Sequence, residues 1–283
     1  MNETNDPHMR TEDRDGMRVT WNQPIEMDDG LVVRADIFRP IAEGKYPTIL
    51  TYGIYAKGVA YQEGYPHQWN KMVEDYPEIL EGSTNKYQNW EVTDPERWVP
   101  HGYVVIRCDS RGAGWTPGFM EPNSPREVED ICQCIEWAGT QPWSNGKVGM
   151  LGISYYSRNQ WRTAGRKPPH LAAIIPWEGG GDTYRDSGYH GGILSEFLKP
   201  WSAHQVVNIQ YGRGENARKN PNTGESVAGP ITLSDEELAN NREEAFEELK
   251  KHPFADEWHR ERSADFSKVT LPVLTCANWG GQG

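Results

Sequence analysis

The chain has 283 residues and a formal net charge of −12, because 41 acidic residues outnumber 29 basic ones. The length suits one large α/β domain or two smaller ones, and the acidic balance argues against nucleic acid or anionic lipid as the main partner, since both bind a basic face. No apolar stretch approaches the roughly 18 residues of a membrane-spanning helix. Residues 1–16 are polar, which predicts a mobile arm, no secretory signal peptide and a cytoplasmic location. The oligomeric state stays open.

Strands and helices alternate through the first 183 residues. Asp28-Asp29-Gly30 is a turn typical of the entry to a hairpin strand. A helix is predicted from Pro125, where Ser124 and Glu127 have the spacing of a capping box. The predicted strands are 31–38, 48–52, 103–108, 148–153 and 171–175, and a second helix covers 155–166. This alternation indicates an α/β domain whose mostly parallel sheet is covered by helices on both faces.

Two segments interrupt this pattern. Residues 53–97 form a long, aromatic-lined insertion, and residues 184–265 lack any strand-like run. We therefore divide the chain into a mobile arm (1–16), a core (17–183), a helical cap insert (184–265) and a return to the core (266–283), with a strand at Leu271–Cys276. Because the chain ends seven residues after that strand, we expect it to be truncated.

The cysteines and histidines do not have the spacing of a metal site. Neither a C-x-x-C pair nor an H-x-x-x-H helix pattern is present, so the sequence predicts no metal and no other cofactor. Cys108 and Cys276 each end an apolar run and are interpreted as buried small hydrophobes.

Ser154 lies in a sequence pattern that is typical of a nucleophilic serine. A buried strand ends in Gly152-Ile153-Ser154, and a helix follows at once. A serine at a sharp strand-to-helix turn raises its Oγ above the sheet, and the next backbone N–H, at the helix start, can hold an oxyanion. The general pattern has glycine two residues after the serine, where this chain has Tyr156, so an ordinary turn with a serine is the alternative.

Several segments together resemble the cocaine esterase and X-prolyl dipeptidyl peptidase group of serine hydrolases, which have the α/β-hydrolase fold. The resemblance runs from about residue 20 to the end of the chain. Order and spacing agree as well as residue type. The matching segments are Tyr55-Ala56-Lys57, Asp109-Ser-Arg-Gly112 with Thr116-Pro-Gly118, Trp137 to Tyr155, and Pro272-Val-Leu274 with Asn278-Trp279.

The resemblance implies roles for three residues. Ser154 would be the nucleophile that forms an acyl-enzyme, and the Tyr155 backbone N–H and the Tyr55 hydroxyl would form the oxyanion hole. A buried loop anchor is the alternative for Tyr55. Asp109 and Arg111 are expected to brace a loop by an ion pair. The substrate would be a small ester or a short peptide.

Departures from the family pattern leave a second interpretation of the function open. Ser157 replaces a glycine, Ala56 replaces an aspartate, and Gly281 stands where the family's catalytic acid is expected. Every histidine precedes the last strand, whereas the family's base follows it, and the family's C-terminal β-sandwich domain is absent. The alternative to a serine hydrolase is therefore a fragment or decayed homologue that acts only as a binding module.

Two acidic residues follow the strand after Ser154. Glu178 and Asp182 come at the carboxyl end of the sheet, where ligands bind in α/β folds. An anionic pocket there would suit a substrate amine, as in a peptidase or an aminoacyl ester hydrolase. The alternative is that these carboxylates are solvated or cap a helix.

Overall fold

The computed structural model describes residues 6–278, and a seven-stranded sheet is its central element. The strand order is β1-β2-β3-β5-β4-β6-β7, in which β5, β4, β6 and β7 run parallel while β1, β2 and β3 add antiparallel neighbours. The strands are β1 (Arg10–Arg14), β2 (Met17–Glu26), β3 (Val32–Pro40), β4 (Tyr46–Gly53), β5 (Val104–Asp109), β6 (Ser144–Ile153) and β7 (Leu171–Trp177).

Two helices connect the parallel strands. All six residues of β5 are buried, as a strand covered on both faces requires. The connecting helices α4 (Pro125–Gly139) and α5 (Tyr155–Arg166) pack on the sheet and against each other. Val128, Ile131 and Ile135, which share one face of α4, are buried, and the helix predicted from Pro125 is confirmed. The alternating part of the chain therefore folds as the sequence predicts.

The long insertion and the cap consist of short elements. The insertion contains α1 (Tyr61–Gly64), α2 (Pro66–Asp75) and α3 (Pro95–Trp98). The cap contains α6 (Leu198–Trp201), α7 (Asp235–Asn240), α8 (Ala245–Lys251) and α9 (Glu257–Glu261), together with a small hairpin of β8 (Tyr189–His190) and β9 (Ile193–Leu194). Ser234 and Glu237 form a capping box at the start of α7. The expectation of a purely helical cap is wrong at the hairpin, because Gly191 and Gly192 turn the chain there with positive φ.

The structure corrects the expectation of a mobile arm. Residues 10–14 form β1, which pairs with β2 along its whole length. The Thr11 hydroxyl lies 2.9 Å from the Thr20 hydroxyl across this pair. Residues 1–5 lie outside the described residues. An edge strand of polar residues has no apolar face, so hydrophobic patterning did not reveal it.

The segment predicted as the returning strand lies beside β7 but forms only two single bridges with it, at Val273 and Cys276. Pro176 of β7 has no N–H to donate at the position between these bridges, so the ladder is interrupted. Backbone bonds continue on either side, from Leu274 N to Ile174 O (3.1 Å) and from Glu178 N to Cys276 O (3.0 Å). Cys108 is buried as predicted, whereas Cys276 is exposed at this edge.

Candidate active site

Ser154 occupies a strained turn between β6 and α5. Its φ of 55° and ψ of −112° lie outside the regions that a residue with a Cβ ordinarily adopts. Its N–H donates to Trp177 O (3.0 Å) and its carbonyl accepts from Arg158 N (3.0 Å), so backbone bonds on both sides hold the strained conformation. Such a turn is what the sequence pattern predicts for a nucleophile elbow.

The turn tolerates Ser157, one of the departures from the family pattern, because of a glycine across from it. Ser157 is fully buried, and a Cβ on Gly179 would lie 2.4 Å from its Cβ and Oγ. Glycine at 179 therefore leaves room for the hydroxymethyl group that the family's glycine would not have. On the other side of the turn, a Cβ on Gly152 would come within 2.5 Å of Tyr156 Cβ.

Four of the five predicted site residues line one cavity of about 240 Å³: Tyr55, Ser154, Tyr155 and Glu178. Asp182 is not among the residues that line this cavity. It lies before a helical turn, where its Oδ1 accepts the N–H groups of Tyr184 (2.9 Å) and Arg185 (2.8 Å), and its Oδ2 pairs with the Arg185 guanidinium (2.7 Å). Asp182 therefore caps this helical turn, which is the alternative that the sequence left open for it. We do not propose a substrate-binding role for Asp182.

Tyr55 brings its hydroxyl to this cavity from the loop after β4. Trp201 of α6 donates its indole N–H to the Tyr55 hydroxyl oxygen at 2.9 Å. An indole N–H can only donate, so the Tyr55 oxygen accepts and its own proton remains available to a further acceptor. Burial raises the pKa of Tyr55 well above its ordinary value, which keeps that proton in place at neutral pH.

The loop that carries Tyr55 is anchored by Asp109, at the end of β5. The Asp109 carboxylate accepts the N–H of Lys57 (2.6 Å) and that of Trp115 (2.8 Å), and its Oδ2 lies 3.9 Å from the Lys57 ammonium. Burial raises the pKa of Asp109 to about 6, against the opposing effect of Lys57. Asp109 braces the loop as predicted, but Arg111 is not its partner: Arg111 pairs with Asp130 (3.0 Å) and Asp29 (2.8 Å).

Tyr155 is the first residue of α5, so its N–H has no carbonyl one turn earlier in the helix to bond. The Tyr155 side chain is fixed by its hydroxyl, which lies 2.9 Å from each of the two Glu127 carboxylate oxygens. Glu127 also accepts from the Ser110 hydroxyl (2.9 Å) and lies 3.7 Å from the Arg162 guanidinium. The predicted capping box at this helix is therefore wrong in its second half: Ser124 caps Glu127 N (3.1 Å), but the Glu127 side chain turns inward.

Glu178 follows β7 with a φ of 47°, and its Oε1 is buried without a hydrogen-bond partner among the described residues. Glu91, whose carbonyl accepts the N–H of Ile153 (3.1 Å), is close enough for Glu178 to influence its titration. Burial, and secondarily the charge of Glu178, raises the pKa of Glu91 to about 8. At this pKa the Glu91 carboxyl is mostly protonated near pH 7.

The cavity is also lined by residues that sequence analysis did not single out, among them Asn123, Arg158, His190 and Trp201. Arg158 follows Ser154 by four residues on a helix, a spacing that could have placed it on the same side. His190 Nε2 lies 3.2 Å from the Asp186 carbonyl. Trp201 comes from the cap, 146 residues from Tyr55, and no local pattern connects the two.

Comparison with known proteins identifies the family. The X-Pro dipeptidyl-peptidase (S15 family) domain matches residues 29–282. The chain belongs to this family. It is 32% identical over 187 residues to cocaine esterase from Rhodococcus sp., an alignment that covers 65% of this chain and 28% of that protein.

Solved structures agree with this assignment. A CocE/NonD family hydrolase from Staphylococcus aureus has a TM-score of 0.72 and 32% identity, over 94% of this chain and 42% of the other. An α-amino acid ester hydrolase has a TM-score of 0.53 at 15% identity, covering 97% and 45% of the two chains, and supports the fold alone. The fold is that of the α/β-hydrolases. The chain spans less than half the length of these relatives.

Some predictions fall outside what the structure tests. Gly281, at the position expected for the acid, and Trp279 lie outside the described residues. Within residues 6–278, no helix has both the length and the apolar character that crossing a membrane requires.

Proposed function

We propose that this chain carries the nucleophile and the oxyanion-binding groups of a serine hydrolase that cleaves a small ester or a short peptide. The strained turn at Ser154 is the single observation that carries the proposal. A non-glycine residue at φ 55° costs of the order of 1–3 kcal/mol, a cost that an ordinary strand-to-helix connection avoids. The same turn directs the serine into a cavity that also receives Tyr55.

The chemistry is acyl transfer in two steps. Ser154 Oγ attacks the substrate carbonyl carbon, its proton passes to a general base, and the carbonyl oxygen becomes an oxyanion. The Tyr155 N–H and the Tyr55 hydroxyl donate to that oxygen. The tetrahedral intermediate then expels the protonated alcohol or amine and leaves an acyl-serine, which water hydrolyses by the same route.

Labelling by a fluorophosphonate probe tests the role of Ser154. We expect one covalent adduct per chain at Ser154, abolished by Ser154→Ala and retained by Ser157→Ala, since Ser157 is buried beside the turn. Labelling that survives Ser154→Ala would reject Ser154 as the nucleophile. No labelling of the unmodified chain, together with no turnover of p-nitrophenyl esters, would favour the alternative of a binding module.

Glu178 favours a second candidate, an aminoacyl ester hydrolase or peptidase. Glu178 lines the cavity that Ser154 also lines, and its carboxylate could receive a substrate ammonium. We expect the preference for an aminoacyl ester over its des-amino analogue to be lost in Glu178→Gln. An equal ratio of kcat/KM values in the variant and the unmodified protein would remove this candidate.

A further inference from the structure

Arg158 places a cation at the wall of the same cavity. Its guanidinium donates to the hydroxyls of Ser187 and Thr183 (3.3 Å for Thr183), and its buried Nε has no hydrogen-bond partner in the described part of the chain. Among residues 6–278, no carboxylate oxygen lies within 4.0 Å of this guanidinium. Arg158 is partly buried, and its hydroxyl partners do not balance the charge of a guanidinium that is partly withdrawn from water.

Arg162, one turn further along α5, is a buried arginine that has a carboxylate partner, although its Nε, like that of Arg158, has no hydrogen-bond partner among the described residues. It lies 3.7 Å from the Glu127 carboxylate and donates to the carbonyls of Asn123 (2.8 Å) and Ser124 (2.6 Å). Arg158 has no corresponding carboxylate, although both side chains come from one helix. The difference is that Arg158 borders the cavity.

Two acidic residues also border the cavity. Asp186 is near enough to favour the charged form of Arg158, but its Oδ2 already accepts the N–H groups of Gly181 and Asp182, both at 2.8 Å. Glu178 lies beside the Ser154 turn and forms no ion pair with Arg158. Burial lowers the pKa of Arg158, yet arginine stays charged at neutral pH, so a desolvated cation with donor capacity to spare remains.

We propose that Arg158 binds a carboxylate of the substrate, so that the cavity takes acyl groups that carry a free carboxyl group, as in a half-ester of a dicarboxylic acid. The proposal deepens the proposed function and rests on it only in treating this cavity as the acyl site. A carboxylate in the cavity would balance the guanidinium charge by accepting from its Nη atoms, and the Ser187 hydroxyl, which also lines the cavity, could donate to the same group.

Equilibrium binding tests this proposal without requiring turnover. Three probes of one shape are titrated calorimetrically into the full chain: 3-phenylpropionate, its neutral amide 3-phenylpropanamide, and the cation 3-phenylpropylamine. We expect the carboxylate to bind at least about tenfold more tightly than the amide, as a charge-assisted hydrogen bond in a buried site allows. Arg158→Met should abolish this preference, and Arg158→Lys should retain part of it.

Arg166→Met is the matched control, because it removes one positive charge from the same helix at an exposed position. Its preference for the carboxylate should equal that of the unmodified protein. The proposal is overturned if the amide binds as tightly as the carboxylate, if the amine binds best, if no carboxylate binding is measurable, or if a folded Arg158→Met keeps the preference. Should Arg158→Met fail to fold, the three probes on the unmodified chain and on Arg158→Lys still decide. Loss of ester turnover alone would bear on the proposed function and not on this site.

Discussion

The hydrogen bond from Trp201 to Tyr55 gives a sharp test of the proposed oxyanion hole. Trp201→Phe keeps an aromatic ring against Tyr55 and Tyr155 but removes the indole N–H that the Tyr55 oxygen accepts at 2.9 Å. If that bond orients the Tyr55 hydroxyl, its loss lets the hydroxyl rotate away from the substrate oxygen. A net hydrogen bond of about 1 kcal/mol corresponds to a decrease in kcat of about fivefold.

Tyr55→Phe removes the proposed donor itself. Losing one oxyanion donor costs about 10² to 10³ in kcat in enzymes that use such a site, so this variant should be much slower than Trp201→Phe. Because Trp201 would act through Tyr55, the double variant should be no slower than Tyr55→Phe alone. The readouts are kcat and KM for p-nitrophenyl butyrate, and the rate of fluorophosphonate labelling at saturating probe.

Trp161→Phe is the control, since Trp161 lies on α5 against Phe266, outside the lining of the cavity. It should leave kcat unchanged. Additive losses in the double variant, or a change confined to KM in Trp201→Phe, would refute the argument and make Trp201 a packing residue of the cavity.

Three further predictions concern residues that pack around the site and support it. Gly179→Ala should destabilise the fold by about 1–3 kcal/mol, because its Cβ would lie 2.4 Å from Ser157, and adding Ser157→Gly should restore only part of the loss in thermal unfolding, because the Cβ would still lie 2.9 Å from the Ser154 carbonyl oxygen. Glu127→Ala should lower the free energy of unfolding in urea by about 3–5 kcal/mol, because it leaves the buried Arg162 unpaired; a loss below 1 kcal/mol would contradict this. Burial raises the pKa of Glu91 to about 8, so the folded state binds a proton that the unfolded state releases near pH 4.5; stability should fall as pH rises from about 4.5 to about 8, and Glu91→Gln should remove that part of the pH dependence of Tm.

The parts of the site that the sequence predicts are local in the chain. Ser154 and Tyr155 are positioned by one strand, one turn and one helix, so apolar periodicity and small residues around the turn were enough to place them. Tyr55 follows β4 directly and was found through its family motif. The signal that located each of these residues is local in the chain, although distant contacts with Trp177, Asp109 and Trp201 hold them in place.

The parts that were missed depend on distant partners. Glu127 has the spacing of a capping residue, but hydroxyls from the β5 loop and from Tyr155 offer it a buried set of donors instead. The single bridges at Val273 and Cys276 follow from a proline in a neighbouring strand. Trp201 reaches Tyr55 across 146 residues, and Arg158 differs from Arg162 only in what surrounds it. Such pairings are properties of the tertiary fold and leave no periodic signal.

These distant contacts also connect the cap to the proposed chemistry. Tyr55 comes from the core, Tyr155 from the serine turn and Trp201 from the cap, and the three rings contact one another. A movement of α6 away from the core would widen the cavity and, at the same time, break the bond that holds the Tyr55 hydroxyl. Access for the substrate and orientation of the oxyanion donor therefore depend on the same contact. For this reason, substitutions in α6 that loosen the cap should reduce kcat even where they leave the residues around Ser154 untouched.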